Sequence, residues 1–144
     1  MGGGITKRPN EAANTMAADK QDGLTRAVNR TRDTILCAKL ETAAGFTGRS
    51  RGLLGRTGLN PDEGMLFEAD GFIPVLWMHM FFMRFAIDIV FLNGEGRVLK
   101  INHRLKPWRV SSMVFGARRA LEIAAGAASS SRTEVGDRIE FEKI

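Results

Sequence analysis

The sequence predicts an α+β, predominantly β domain: a compact β-barrel or sandwich of about six or seven strands with one or two short helices. Three observations carry that expectation. Short runs rich in Val, Ile, Leu and Phe recur at strand length, notably at residues 34–40, 87–92 and 118–124. Turn-forming residues separate them, most clearly Asn60-Pro61-Asp62-Glu63-Gly64 and Asn93-Gly94-Glu95-Gly96. The 144 residues, 44% apolar and 26% charged, suit one core of ordinary composition.

In chain order, residues 1–30 mix Gly, Asn, Ala, Asp and Lys without sustained periodicity. They read as a flexible extension, which sets a single domain at 31–144. Residues 34–40 form the first strand. Residues 42–54 space Phe46, Leu53 and Leu54 around Arg49 and Arg51, a short helix closed by Gly55. Residues 64–68 are a short strand. Residues 72–82 are apolar on both faces and read as a buried strand or pair of strands. Residues 87–92 give the strongest strand signal. The Asn93–Gly96 turn joins them in a hairpin to 97–103, with Val98 and Lys100 facing opposite Leu99 and Ile101. Lys106-Pro107 interrupts that strand. Residues 118–124 alternate Ala120 and Glu122 against Leu121 and Ile123. Residues 126–132 read as a helical turn, and Val135-Gly136-Asp137 leads into a final strand at 138–144.

Lys and Arg number 21 against 16 Asp and Glu, a net charge of +5. Residues 1–56 hold 10 bases and 5 acids, whereas 57–144 hold 11 of each, so the excess is N-terminal. Within the core region, Arg97, Lys100, Arg104, Lys106, Arg109, Arg118 and Arg119 fall in a stretch without an acid. Such a stretch can make a basic face for phosphate, polyanion or anionic lipid. The favoured account is a solvated strand edge kept from aggregating by its charges. Only Trp108 and Phe115 are interleaved with these bases, too few stacking platforms for nucleic acid to be the expected partner.

The first 33 residues contain no apolar run resembling a secretory leader. Met1-Gly2-Gly3-Gly4-Ile5-Thr6 fits the loose acylation pattern, for which a glycine-rich start is the simpler account. Phe72 to Leu92 is long enough to span a bilayer. Arg84 and Asp88 would each cost about 2.5–3.5 kcal/mol near its centre, and Pro74 breaks the N-terminal end. A soluble, cytoplasmic protein without a transmembrane segment is therefore expected.

Cys37, His79 and His103 are the only thiol and imidazole groups, far apart and in no ligand-like spacing. No metal or cofactor is expected from them. Cys37 reads as a small buried apolar residue. No Gly-x-Ser-x-Gly elbow is present, and Gly52-Leu53-Leu54-Gly55 lacks the Lys-Ser or Lys-Thr of a phosphate loop. The unusual feature is His79, Arg84 and Asp88 within apolar sequence. Either Asp88 pairs internally with Arg84 at a bend between strands, or Asp88 and His79 line a pocket.

Residues 49–56 (RSRGLLGR), 64–67 (GMLF), 79–92 (HMFFMRFAIDIVFL), 121–126 (LEIAAG) and 135–139 (VGDRI) resemble, in order, the motifs of the domain of unknown function 192 family. The match runs from about Thr34 to Phe141. Leu54 stands where the family commonly has Met, and Ala86 where Pro usually precedes the Ile-Asp step. His79 stands where many members have Trp, and Met80 where the His-bearing branch has Thr. The resemblance implies a small β-rich barrel or sandwich with short helices, in a family of unestablished activity.

The leading expectation is a non-enzymatic accessory domain. Its pocket or rim, near His79, Arg84, Asp88, Trp108 and Glu122, would hold a small polar ligand or a protein partner. An enzyme using His79 and Asp88 in acid–base roles, as a hydrolase or carbohydrate-active protein, ranks second. Weak polyanion binding by the 97–119 bases ranks third.

Overall fold

The computed structural model describes residues 25–42, 53, 56–69 and 75–144. In chain order these are strands β1 (Thr25–Asn29), β2 (Thr34–Thr42), β3 (Glu63–Glu68), β4 (Val75–Leu76), β5 (Ile87–Leu92), β6 (Val98–Leu105), β7 (Val114–Phe115) and β8 (Arg119–Ala124). A short helix, α1 (Ala127–Ser130), and strand β9 (Ile139–Lys143) follow. The predominantly β expectation holds.

Seven strands form one curled, half-barrel sheet in the order β6-β5-β8-β3-β2-β1-β9, and β4 and β7 pair as a separate ribbon. All neighbours are antiparallel except β2 and β3. The curl brings its two edges together. Ile139 N–H donates to Gly96 O at 2.8 Å, Val98 N–H to Asp137 O at 2.9 Å and Gly136 N–H to Val98 O at 2.8 Å. Pairing edge backbone in this way removes an exposed template for aggregation.

Alternation along the central strands splits the apolar residues between two cores. Ile87, Ile89 and Phe91 of β5 join Met65, Phe67 and Ala120 on the outer face, beneath the ribbon. Val90 and Leu92 join Leu36, Cys37, Leu40, Leu121, Ile123 and Ala128 inside the curl. Every residue of β5 is therefore buried. This is why residues 87–92 read as an almost continuous apolar run.

Four expectations need correction. The domain begins earlier than residue 31, since β1 lies between β2 and β9 with Ala27, Val28 and Asn29 buried. Over the described part of 72–82, only alternate residues are buried: Leu76, Met78 and Met80 face in, while Trp77, His79 and Phe81 face out. In the β5–β6 hairpin, Leu92 pairs Val98 but Phe91 pairs Lys100, so Leu99 is bulged out of register. Val98 and Ile101 consequently reach the inner core while Leu99 packs on the outer one. Arg84 is exposed and makes no bond to Asp88, so the postulated internal pair is absent. The helix expected at 42–54 lies outside the described residues apart from Leu53, which is buried in the outer core.

Candidate functional site

The ribbon carries the most exposed apolar surface of the described residues. Its pairing runs beyond β4 and β7: His79 bridges Val110, and Ser111 N–H donates to Met78 O at 2.8 Å. Period-two alternation then decides the two faces. Leu76, Met78, Met80 and Val114 pack into the outer core, which fixes the ribbon on the half-barrel. Trp77, His79, Phe81, Val110, Met113 and Phe115 are left on the solvent side.

At one end of the ribbon two tight turns lie against each other. Met83 N–H donates to Met80 O, and Arg109 N–H donates to Lys106 O, closing the turns. Trp108 N–H donates to Met80 O at 2.8 Å and Met80 N–H to Arg109 O at 2.7 Å, clamping one turn to the other. Phe82 and Trp108 sit at their tips with φ of 65° and 67°. Bulky side chains seldom adopt that left-handed region, which costs about 1–3 kcal/mol at each residue. Their rings meet at 4.8 Å between centroids, with Phe82 70% and Trp108 59% exposed. Trp108 also neighbours Phe81 at 6.2 Å, Phe81 stacks on His79 at 4.9 Å, and His79 neighbours Trp77 at 6.5 Å. The result is a continuous ladder of rings. Phe81 N–H lies 3.4 Å from His79 Nδ1, a long hydrogen bond that orients the imidazole within it.

Of the anticipated site residues, the ladder brings together His79 and Trp108, with Arg84 exposed just after the first turn. Asp88 is elsewhere. Fully buried on β5, it accepts N–H groups from Arg104 (2.8 Å, Oδ1), Gly126 (3.1 Å, Oδ2) and Ala128 (3.0 Å, Oδ2). It binds the end of β6 to the start of α1. Glu122 is buried on the outer-core face of β8, opposite Ile89 and Met65. No acid–base pairing of His79 with Asp88 follows from this arrangement.

The seven bases are not assembled on one face. Arg104 lines a cleft of about 720 Å³ beside Ile35, Leu59, Phe85 and Ser129. Arg119 lines a different cleft of about 530 Å³, bonds Glu68 at 3.8 Å and lies over the Phe141 ring. Arg97 donates to Gly136 O at 3.0 Å, tying it to the closure of the curl. Lys100 and Arg118 are exposed, and Lys106 and Arg109 occupy the turn that carries Trp108. Among the described residues no group of three or more His, Cys, Asp or Glu is placed to hold a metal ion.

Sequence reasoning missed Trp77, Phe81, Phe82, Val110, Met113 and Phe115. A signal was present: Trp77, His79 and Phe81 share one parity, and the intervening Met78 and Met80 the other. Trp and His commonly keep a polar tip in water, whereas Met fills irregular cores.

Fold and site together define a small half-barrel β domain with an exposed aromatic ladder. The DUF192 family model, described as an uncharacterized ACR, matches residues 27–141, and the chain belongs to that family. A UPF0127 protein of Thermococcus sibiricus is 28% identical over 115 residues, covering 80% of this chain and 73% of the relative. A UPF0127 protein of Pyrococcus abyssi is 29% identical over 119 residues, covering 79% and 95%. Two solved structures share the fold. One, from Sinorhizobium meliloti and titled a "putative transcription regulator", has a TM-score of 0.69 at 24% identity, over 82% of this chain and 92% of that one. The other, a protein of unknown function from Novosphingobium aromaticivorans, has a TM-score of 0.68 at 22% identity, over 81% and 83%. No helix of the described residues is long and apolar enough to cross a membrane.

Proposed function

We propose that this domain is a non-enzymatic binding module whose recognition surface is the aromatic ladder of the ribbon. One observation carries the reading. Phe82 and Trp108 are held at positive φ, at the tips of two clamped turns, with their rings in contact and in solvent. Strain of this kind persists where surrounding structure enforces it and clusters at ligand clamps. Exposed contiguous apolar surface, in turn, marks interaction sites. His79 contributes a polar edge within the ladder, and Arg84, Lys106 and Arg109 contribute charge around it. Asp88 and Glu122 serve the scaffold beneath.

The test uses anilinonaphthalene sulfonate, an apolar anion. The chain has two tryptophans, Trp77 and Trp108, and both belong to the ladder. Energy transfer from them to bound dye reads occupancy, and the loss in a ladder variant assigns it to this surface. Saturable binding to the folded protein is expected, weakened about tenfold in the Phe81→Ser/Phe82→Ser variant, which keeps both donors. Dye binding that is absent, or indifferent to the variant, overturns the proposal.

A further inference from the structure

Resting on that reading, we infer that the occupant of the ladder is the surface of an anionic lipid bilayer, to which the domain docks peripherally by its two turn tips. Three independent observations converge on this partner: charge, residue type and projection.

Charge is the first. No Asp or Glu occurs between residues 75 and 87 or between 98 and 119, the segments that build the ribbon and its turns. Arg84, Lys106 and Arg109 are exposed there, and none joins an ion pair among the described residues. Away from the ribbon, Arg26 and Arg30 bond Glu142, Arg32 bonds Glu134 and Asp137, Lys39 bonds Asp62, and Arg138 bonds Glu140. Three exposed cations in acid-free segments thus flank the apolar patch, the arrangement that attracts a negatively charged leaflet.

Residue type is the second. Trp and Phe are the side chains that settle at the boundary between headgroups and acyl chains. Beside them, Val110 and Met113 are exposed aliphatic groups that offer no stacking face. The rings themselves pack on one another, His79 on Phe81 and Phe82 against Trp108, rather than standing apart to sandwich bases. Insertion into lipid needs only apolar bulk.

Projection is the third. The positive φ values place Phe82 and Trp108 at the apices of adjacent turns, while Phe115, 74% exposed, extends the same face along the ribbon. The backbone groups of both turns are bonded to each other, so the tips carry few unpaired N–H groups toward the hydrocarbon.

The experiment compares vesicles of pure phosphatidylcholine with vesicles containing phosphatidylserine, read by cosedimentation and by the tryptophan emission of the intact chain. A blue shift and cosedimentation with the anionic vesicles are expected, weakening at high salt. Each basic group near an anionic surface is worth about a fivefold gain in partition, so Lys106→Gln/Arg109→Gln should lose about thirtyfold. Phe82→Ser should lose about tenfold. Lys143→Gln, on β9 away from the ribbon, should lose no more than its share of the net charge, which separates a local site from general attraction. Unchanged thermal midpoints show that the variants fold. Equal partition into neutral and anionic vesicles, or none into either, overturns the inference. If the dye still binds the ladder in that case, the binding-module reading stands and only the lipid partner falls. Quenching of the tryptophans by a thymidine oligonucleotide, with vesicles ignored, also overturns it in favour of single-stranded nucleic acid.

Discussion

A carboxylate with no water around it must be satisfied by the protein, and Asp88 is satisfied by backbone alone. Its three N–H partners are contributed by Arg104, Gly126 and Ala128. Asp88→Asn keeps one acceptor for Arg104 but turns an amide against the other two N–H groups. A loss of about 3 kcal/mol is expected by urea denaturation, since bonds to a charged acceptor are worth about 1.5–3 kcal/mol each. Arg84→Leu, on exposed surface, should change stability by no more than about 0.5 kcal/mol. The double variant should then be additive, whereas coupling between the two would show that they interact. The sequence did mark Asp88 as a polar residue needing a partner. It offered no way to name that partner, because backbone N–H groups carry no residue signature and these come from distant segments. Asp137 makes a second case. Burial alone would raise its pKa, but bonds from Asn29 Nδ2 (2.9 Å), the Glu134 N–H (2.9 Å) and Arg32 Nε (3.1 Å) outweigh burial and hold it below the usual carboxylate value. A carboxyl depressed in the folded state contributes stability above its unfolded pKa of about 3.9, and that stability is lost as pH falls through the folded pKa. Asp137→Asn should lower stability at neutral pH while flattening the decline of stability with acidification below about pH 4. An unchanged acid limb in pH-dependent denaturation would contradict this.

Elements whose residues face one environment were legible, and those defined by distant pairing were not. β5 and β8 announced themselves by composition, and the alternation of Ala120 and Glu122 against Leu121 and Ile123 corresponds to the two cores. β1 (Thr-Arg-Ala-Val-Asn) carries little β signal. It is a strand because β2 and β9 hold it on both sides, with Asn29 Nδ2 bonded to Thr133 Oγ1 at 3.0 Å. A chain starting at Arg30 leaves β9 without its sheet neighbour and Asp137 without Asn29. Such a chain should lose its cooperative unfolding transition, as followed by circular dichroism. The two faces of the ribbon are not legible from hydropathy, because Met on one and aromatics on the other are equally apolar. The Asn93–Gly96 turn is legible in the sequence, but its second duty is not: Gly96 meets β9. At φ of 86° its added Cβ would stand 2.4 Å from Ile139 O, a backbone atom that cannot swing aside. Gly96→Ala should cost about 2 kcal/mol or more, seen as a fall in thermal midpoint of about 5 °C or more.

Across the whole molecule, the central strands of one sheet are buried on both faces, and each core has a different role. The outer core seats the ribbon and hence the aromatic ladder. The inner core, drawn from all seven strands of the sheet, holds the curl together. Cys37, the single cysteine, lies in that inner core with its thiol 3.4 Å from Asp62 O, and so reports on opening of the curl. Burial pushes the Cys37 thiol up to about 11. At pH 8 the thiolate fraction is then about two hundredfold lower than for an unfolded cysteine near 8.5, before access is considered. Reaction with a thiol reagent should accordingly be slow in native buffer and rise with urea in parallel with global unfolding. The same shift has a linkage consequence. Between pH 8.5 or so and about 11 the folded state retains a proton that the unfolded state releases, so stability declines as pH rises through that window. Cys37→Ala should remove the thiol's share of that alkaline decline. Rapid labelling of the wild-type chain in native buffer would mean that the curl opens without global unfolding, with β2 moving independently of the ribbon side of the molecule.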